Sequence, residues 1–403
     1  QDLADRIAPY FVGVTLSLAC LTFLYWFSID INTALLAATA VLIITCPCAL
    51  GLATPMAIAV STGLAAKHGV LIRNGKALEK LAEISHVVMD KTGTLTEGSI
   101  TVSNILFADD QNYALQLAGS IERYDSHPIA KAICASQEAK ELGFFDAHNL
   151  KMLAGLGIQG LVQAPHADCE VWVGNKRFIQ NHGIILTKEQ LGACHRIEQD
   201  MGIAIFIAAD GKLLGLLQLE DKLRKGAHHL ISHLAQSNIS MTILTGDSIA
   251  AASYLEKELS QNTPLNIQVI AEVLPENKAA EVSLLQQQGE HVLMIGDGVN
   301  DAPALAQADI SIAMGTGTDV SMECSDIVLM GGELQNIPWA LALGRRTLKS
   351  IRQNLMFSLA YNIVLVPTAM VAWITPVFAA LAMPLSSLVV IGNAILIRRH
   401  MRK

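Results

Sequence analysis

Two kinds of hydrophobic pattern share this chain. At its ends, apolar residues run on without charge: Ala8 to Ile29, Thr33 to Ala66, Leu355 to Ile374 and Val377 to Ile397. Each run is long enough for the ~20 residues that a spanning helix needs, which predicts four transmembrane helices, two before a soluble middle and two after it. In the middle the apolar runs shorten to His86–Met89, Met241–Leu244 and His291–Ile295, each closing on polar turn residues. Such runs read as buried strands of an open α/β sheet, whose carboxyl ends are where ligands bind.

Composition agrees with the pattern. The chain is 52% hydrophobic and 16% charged, where an average soluble protein has about a quarter of its residues charged. Lys and Arg are absent from the loop at 28–32 and the turn at 374–376. They flank the opposite ends as Lys67, Arg73, Lys76, Arg345, Arg346, Lys349, Arg352, Arg398, Arg399, Arg402 and Lys403. Positive charge stays inside, so the middle and both termini are expected in the cytoplasm. No small-residue cleavage site after the first span marks a signal peptide. The net charge of −8 belongs to the soluble part and argues against a nucleic-acid role.

The chemistry is concentrated where the short strands end. Asp90-Lys91-Thr92-Gly93-Thr94 follows the first strand and brings together a carboxylate nucleophile, a cation and backbone N–H groups for phosphate oxygens. Two residues after the nucleophile stands Thr92, whose hydroxyl cannot activate water, so an aspartyl-phosphate would persist. Thr245-Gly246-Asp247 closes the second strand and Asp297-Gly298-Val299-Asn300-Asp301 the third; Lys278 lies just upstream. Asp90 and Asp297 offer the hard oxygen ligands that Mg²⁺ prefers, and Lys278 a charge for the transferring phosphate.

A second constellation lies inside the membrane pattern. Cys46-Pro47-Cys48 interrupts the second apolar run, and Pro47 removes an N–H, so the helix should unwind and let both sulfurs face one cavity. Thiolates select soft ions, Cu(I) above all. Cys134, Cys169, Cys194 and Cys324 read instead as small buried hydrophobes, and Cys20 stays undecided.

With these motifs in this order the chain resembles the heavy-metal-transporting P-type ATPases, from its first residues to its last. The resemblance implies an α+β multi-domain membrane protein. Four transmembrane helices would carry a Rossmann-like phosphorylation domain of the haloacid dehalogenase type (84–98 and 218–335) with an inserted α+β nucleotide-binding domain (99–217). Residues 1–83 and 336–403 would hold the helices. Asp90 is then the phosphorylated residue, with Lys91 and Thr92 in its motif and Thr245, Gly246, Asp247 and Lys278 supporting the phosphate. Asp90, Thr92, Asp297, Asn300 and Asp301 serve Mg²⁺.

In the inserted segment a helix from Glu122 to Lys140 is expected to carry Ser126-His127-Pro128. With the glycines of 155–160 and Val173-Gly174-Asn175 it resembles the adenine pocket of these pumps, which assigns Glu122, His127, Gly155, Gly157, Gly174 and Asn175 to ATP. On its own, the glycine stretch reads as a hairpin loop. Asp210-Gly211 reads as a hairpin turn, and His228, His229 and His233 as a solvated helix face.

The last two apolar runs resemble the copper(I) exporters. Tyr361-Asn362, followed by Pro367, and Met383-Pro384-Leu385-Ser386-Ser387 match their patterns, so Tyr361, Asn362, Met383 and Ser387 join Cys46 and Cys48 as ligands or supports of transported Cu(I), with Ag(I) a surrogate. Zinc and cadmium exporters place a Lys and an Asp there, and no residue from Leu355 to Ile397 is charged.

By the same resemblance the partners are the lipid bilayer of a bacterial inner membrane, a cytoplasmic copper chaperone and a periplasmic or extracellular acceptor. The short turn before the last helix resembles the pumps that serve haem–copper oxidase assembly. An actuator domain with its Thr-Gly-Glu loop and a Cys-x-x-Cys metal-binding domain are missing, and Gln1 to Arg6 resembles the end of the actuator linker, so the chain reads as a C-terminal fragment. Three alternatives stay open: a Zn/Cd exporter, a soluble strand-end-Asp phosphatase, and a copper-binding membrane module without turnover.

Overall fold

The computed structural model describes residues 2–46, 48–125, 127–136, 143–153, 155–165, 167–200, 202–247, 249–260, 265, 267–297, 299–315 and 319–401. Pro47, Ser126 and Gly298 lie outside them, as does the side chain of Cys48. The chain forms two compact units, residues 1–84 with 325–331 and 336–403, and residues 85–324 with 332–335.

In the first unit the apolar runs are helices Asp2–Phe27, Ile31–Ile44, Cys48–Lys67, Asn336–Met370 and Pro376–His400. The second run is broken, as a central proline dictates: one helix stops at Ile44, with Thr45 closing it onto the Val41 carbonyl, and the next starts at Cys48. Pro376–His400 is long and apolar enough to cross a membrane by itself; Gly13–Phe27 and Ile31–Ile44 are shorter apolar stretches. Small residues let the helices approach, with Ala19, Ala40, Ala369 and Ala379 buried in one cluster with Val41, Ile44 and Val366. Polar pairs add to this: Ser61 and Thr347 share a hydroxyl hydrogen bond of 2.7 Å, and Asn393 donates to Asn354 at 2.8 Å. Strands β1 (Val70–Ile72) and β13 (Ile327–Leu329) pair antiparallel in this unit.

The second unit is built on two sheets. Strands β2 (His86–Asp90), β9 (Ser240–Leu244), β10 (Ile267–Ile270), β11 (Val292–Gly296) and β12 (Ile310–Met314) run parallel in the order β12-β11-β2-β9-β10. Every residue of β2, β11 and β12 is buried, which is why these strands are continuous hydrophobic runs rather than alternating ones. The central position of β2 puts Asp90 between the tips of β9 and β11.

Strands β3 (Thr96–Leu106), β4 (Ala147–Leu153), β5 (Gly157–Gln163), β6 (Asp168–Gly174), β7 (Ile203–Ala209) and β8 (Lys212–Leu223) form an antiparallel sheet in the order β3-β8-β7-β6-β5-β4. Asp210 and Gly211 link β7 to β8 with positive φ at both, the geometry of a two-residue hairpin turn.

Two local expectations change. The helix expected from Glu122 to Lys140 is not continuous over its described residues, 137–140 lying outside them: helix Gln111–Glu122 ends where it was to begin, and a new helix, Pro128–Ala135, starts with His127 as its N-cap. Pro128 at the first helical position dictates this, since proline lacks the N–H needed further inside. Among the cysteines, Cys169 and Cys194 are buried and Cys134 half-buried, but Cys324 and Cys20 are exposed. His228 and His229 are exposed on helix Ala227–Gln236, while His233 is half-buried.

Candidate active site and nucleotide cavity

Asp90 is only 7% exposed, at the C-terminal end of β2. Lys278, at the start of helix Pro275–Gln287, donates to Asp90 Oδ1 at 2.5 Å and to Asp301 Oδ1 at 2.7 Å. Carboxylate oxygens of Asp90, Asp297 and Asp301 all lie within 4.8 Å of one another. Burial holds the Asp90 carboxyl up at about 6, reinforced by Asp301 and opposed by Lys278. Asp297 is raised by burial and by Asp301, against the pull of Arg224. Burial lowers the Lys278 ammonium, but the Asp90 and Asp301 carboxylates outweigh it, and its affinity for the proton rises.

Residues 91–95 make the tight turn that this crowding needs. Thr92 is exposed with extended backbone, and Gly93 adopts φ +75°. A Cβ on Gly93 would lie 1.9 Å from the Asp297 carboxylate, so only glycine lets that carboxylate come so near. From the neighbouring strand tip, Lys91 is paired with Asp247, whose N–H donates to the Thr245 hydroxyl at 3.1 Å. Thr245 is buried and Gly246 exposed. Asn300 is exposed beside the buried Asp301 and makes no side-chain hydrogen bond among the described residues. Three close carboxylates are the hard-oxygen set that suits Mg²⁺.

Two residues that the sequence reading passed over complete this site. Arg224 donates through Nε to the Thr94 carbonyl at 3.2 Å and through Nη2 to the Gly93 carbonyl at 2.5 Å. Asp221 accepts from the Thr96 hydroxyl at 2.7 Å and the Gly98 N–H at 3.0 Å. Both stand at the end of β8, where the chain returns from the inserted sheet; charged residues at that return point were the available signal.

The inserted part encloses a cavity of about 570 Å³, and all six residues expected at ATP line it: Glu122, His127, Gly155, Gly157, Gly174 and Asn175. The hairpin reading of the glycine stretch holds, since Gly155, at φ +71°, turns β4 into β5, and the same residue lines the cavity. Gly157 and Gly174 face each other across β5 and β6, where a Cβ on Gly157 would lie 2.3 Å from the Val173 carbonyl. Their smallness therefore serves the strand pair and the Phe178 ring beneath it. Asn175 also has a structural task, donating to the Gly155 carbonyl at 3.0 Å and capping Phe178 N–H at 2.9 Å. His127 Nδ1 accepts from Ile129 N–H at 3.3 Å. Glu122 is 6% exposed; burial, with Asp125 adding to it, pushes its carboxyl up to about 8.

In the first unit, Cys46 is half-buried at the helix break. Helices Asn336–Met370 and Pro376–His400 enclose a cavity of about 360 Å³ lined by Tyr361, Ser358 and Ser386 among apolar residues. The Tyr361 hydroxyl and the Asn362 side-chain carbonyl are buried without a hydrogen-bond partner among the described residues. Met383 and Ser387 are half-buried outside that cavity, and the Ser387 hydroxyl lies 3.5 Å from its own helix's Met383 carbonyl.

A family model described as haloacid dehalogenase-like hydrolase matches residues 84–309. Curated relatives include two copper-exporting P-type ATPases, from Staphylococcus aureus (strain MRSA252) and Staphylococcus haemolyticus (strain JCSC1435). Each is 40% identical to this chain over 99% of its length and 49% of the relative's. The chain thus spans about half the length of the curated relatives it matches. Among solved structures, a zinc-transporting PIB-type ATPase in its E2.Pi state is similar with a TM-score of 0.85 at 31% identity, covering 98% of this chain and 63% of that one. The catalytic domain of the CPx-ATPase CopB-B gives 0.52 at 30% identity, covering 70% of this chain and 98% of that one.

Proposed function

Because this chain belongs to the haloacid dehalogenase-like hydrolases, and with them to the P-type ATPases, we propose that it drives Cu(I) out of the cytoplasm through an aspartyl-phosphate on Asp90. The observation that carries this reading is the buried Asp90 at a central strand tip, 2.5 Å from Lys278 and close to Asp297 and Asp301.

In the proposed reaction an Asp90 oxygen attacks the γ-phosphorus of ATP and the bond to the ADP oxygen breaks. Lys278 offsets the charge gathering on the phosphoryl oxygens. Arg224 occupies the 93–94 carbonyls with hydrogen bonds, and Lys91 and Asp247 brace the two strand tips against each other. Thr92 supplies no base, so the mixed anhydride outlives the step that made it. Asp90, Asp297 and Asp301 would hold Mg²⁺, which would supply positive charge against the phosphate oxygens. ATP would sit with its base in the cavity of Glu122 and His127.

Four spans are read as Asp2–Phe27, the broken pair Ile31–Ile44 and Cys48–Lys67, the apolar half of Asn336–Met370, and Pro376–His400. Their basic ends face the cytoplasm with the catalytic unit. Cys46 and Cys48 would take Cu(I), with Tyr361, Asn362, Met383 and Ser387 as a second set. The orphaned oxygens of Tyr361 and Asn362 support a polar visitor there. A cytoplasmic copper chaperone and an acceptor across the membrane complete the route, with oxidase assembly as the finer role. Likeness to a zinc-transporting relative favours Zn²⁺ as the second reading, against which stands the lack of any charge from Leu355 to Ile397.

The test is acid-stable labelling of the full chain in membranes from γ-labelled ATP. Label on Asp90 that rises with Cu(I), does not rise with Zn²⁺, and loses its metal response in Cys46→Ala is expected. Label that follows Zn²⁺ would transfer the cargo to zinc, and no label under any metal would end the phospho-enzyme reading.

A further inference from the structure

Among the described residues that line its cavity, no cation compensates the Glu122 carboxyl. It lines the 570 Å³ cavity while only 6% exposed, and its side chain has no hydrogen-bond partner among the described residues. The cavity's described lining contains Glu122, Asp125 and Glu198 and neither Lys nor Arg. The cation adjacent in sequence is committed elsewhere, since Arg123 donates to the Tyr124 hydroxyl at 2.6 Å and lies 3.4 Å from Asp146 Oδ1. Asp125 adds negative potential, Cys134 interacts with the carboxyl from helix Pro128–Ala135, and His127 and Glu198 face the same cavity. A lone carboxylate so placed takes up a proton rather than remain charged.

The two protonation states read different bases. A carboxylate is acceptor-only, whereas a carboxylic acid presents one O–H donor beside one acceptor. Adenine offers a ring nitrogen that accepts next to an exocyclic amine that donates, which pairs with the acid and not with the carboxylate. Guanine offers two adjacent donors, its N1–H and exocyclic amine, which pair with the carboxylate.

Resting on the reading of this cavity as the ATP site, we propose that Glu122 enters it as a neutral carboxylic acid, donating to an adenine ring nitrogen and accepting from the exocyclic amine, so that ionising it both weakens ATP and admits GTP. Glu122 is thus the base-selecting residue, and selectivity becomes a function of pH.

The test measures ATP and GTP binding to the full chain in detergent micelles from pH 6.5 to 9.5, with hydrogen exchange locating the nucleotide. ATP affinity is expected to fall about tenfold across that range while the preference for ATP over GTP narrows. Glu122→Gln, which keeps a donor beside an acceptor but cannot ionise, is expected to make both curves flat; Glu122→Ala lowers ATP affinity at every pH. A wild-type affinity independent of pH, or a Glu122→Gln curve that still falls, would overturn the proposal. Failure of ATP to protect residues 150–160 and 170–178 from exchange would overturn the cavity assignment itself, and this proposal with it.

Discussion

Asp90 and Glu122 are both carboxyls buried within one compact unit, and burial raises both, to about 6 and about 8. They differ in company. Asp90 has Lys278 at 2.5 Å and two further carboxylates around it, so its charge belongs to a shared cluster that one ammonium holds together. Among the described residues that line its cavity Glu122 has no cation, and Asp125 raises it further. Equal depth therefore yields opposite equipment: in the proposed function, an anion to attack phosphorus and an uncharged group to meet a heterocycle. Depth alone does not set the chemistry of a buried acid; the first neighbour does.

Substituting Asp90→Asn is the sharpest way to break this contrast, because an amide cannot form the mixed anhydride: labelling from γ-labelled ATP is expected to fall ~10³-fold or more, below detection on gels. Lys278→Met removes the ammonium and makes Asp90 resemble Glu122. Phosphorylation is expected to drop ~10²-fold, and thermal unfolding of the full chain to report a loss of about 3 kcal/mol, as when a buried pair loses one partner. Arg224→Ala leaves the cluster intact but frees the Gly93 and Thr94 carbonyls, and single-turnover labelling is expected to slow about tenfold, consistent with ~1.5 kcal/mol for one charged hydrogen bond.

The smallest effect concerns Glu122 and stability. Burial holds its folded carboxyl at about 8, above the ordinary 4.5, so the folded chain keeps a proton that the unfolded chain releases. Stability from this group is therefore complete below pH 4.5, declines as pH rises toward 8, and levels off above it. Glu122→Gln is expected to melt ~2–4 °C higher than wild type at pH 8.5 and to show no such advantage at pH 4.5.

Much of this was readable from residue order. Fully buried parallel strands must be written as apolar runs, so the tips bearing Asp90, Thr245 and Asp297 are visible in the sequence. The proline-broken run was equally plain. Less was visible where one residue serves distant parts. Nothing local in Asp221 or Arg224 tells that their partners lie at 93–98, more than a hundred positions earlier, because the inserted sheet hides the adjacency. The helix expected across Glu122 to Lys140 failed at Pro128, whose preference for a first turn was the stronger local signal. Asn175 was legible as a cavity residue but not as the pin between a hairpin and a helix.

Strands β3 and β8 leave and re-enter the parallel-sheet region side by side, and they are knotted at their base by Asp221 holding Thr96 and Gly98. The Thr96 hydroxyl also reaches the Lys91 carbonyl at 3.1 Å, one residue past Asp90. Two hydrogen bonds at one hydroxyl thus tie the root of the inserted sheet to the turn that begins at Asp90.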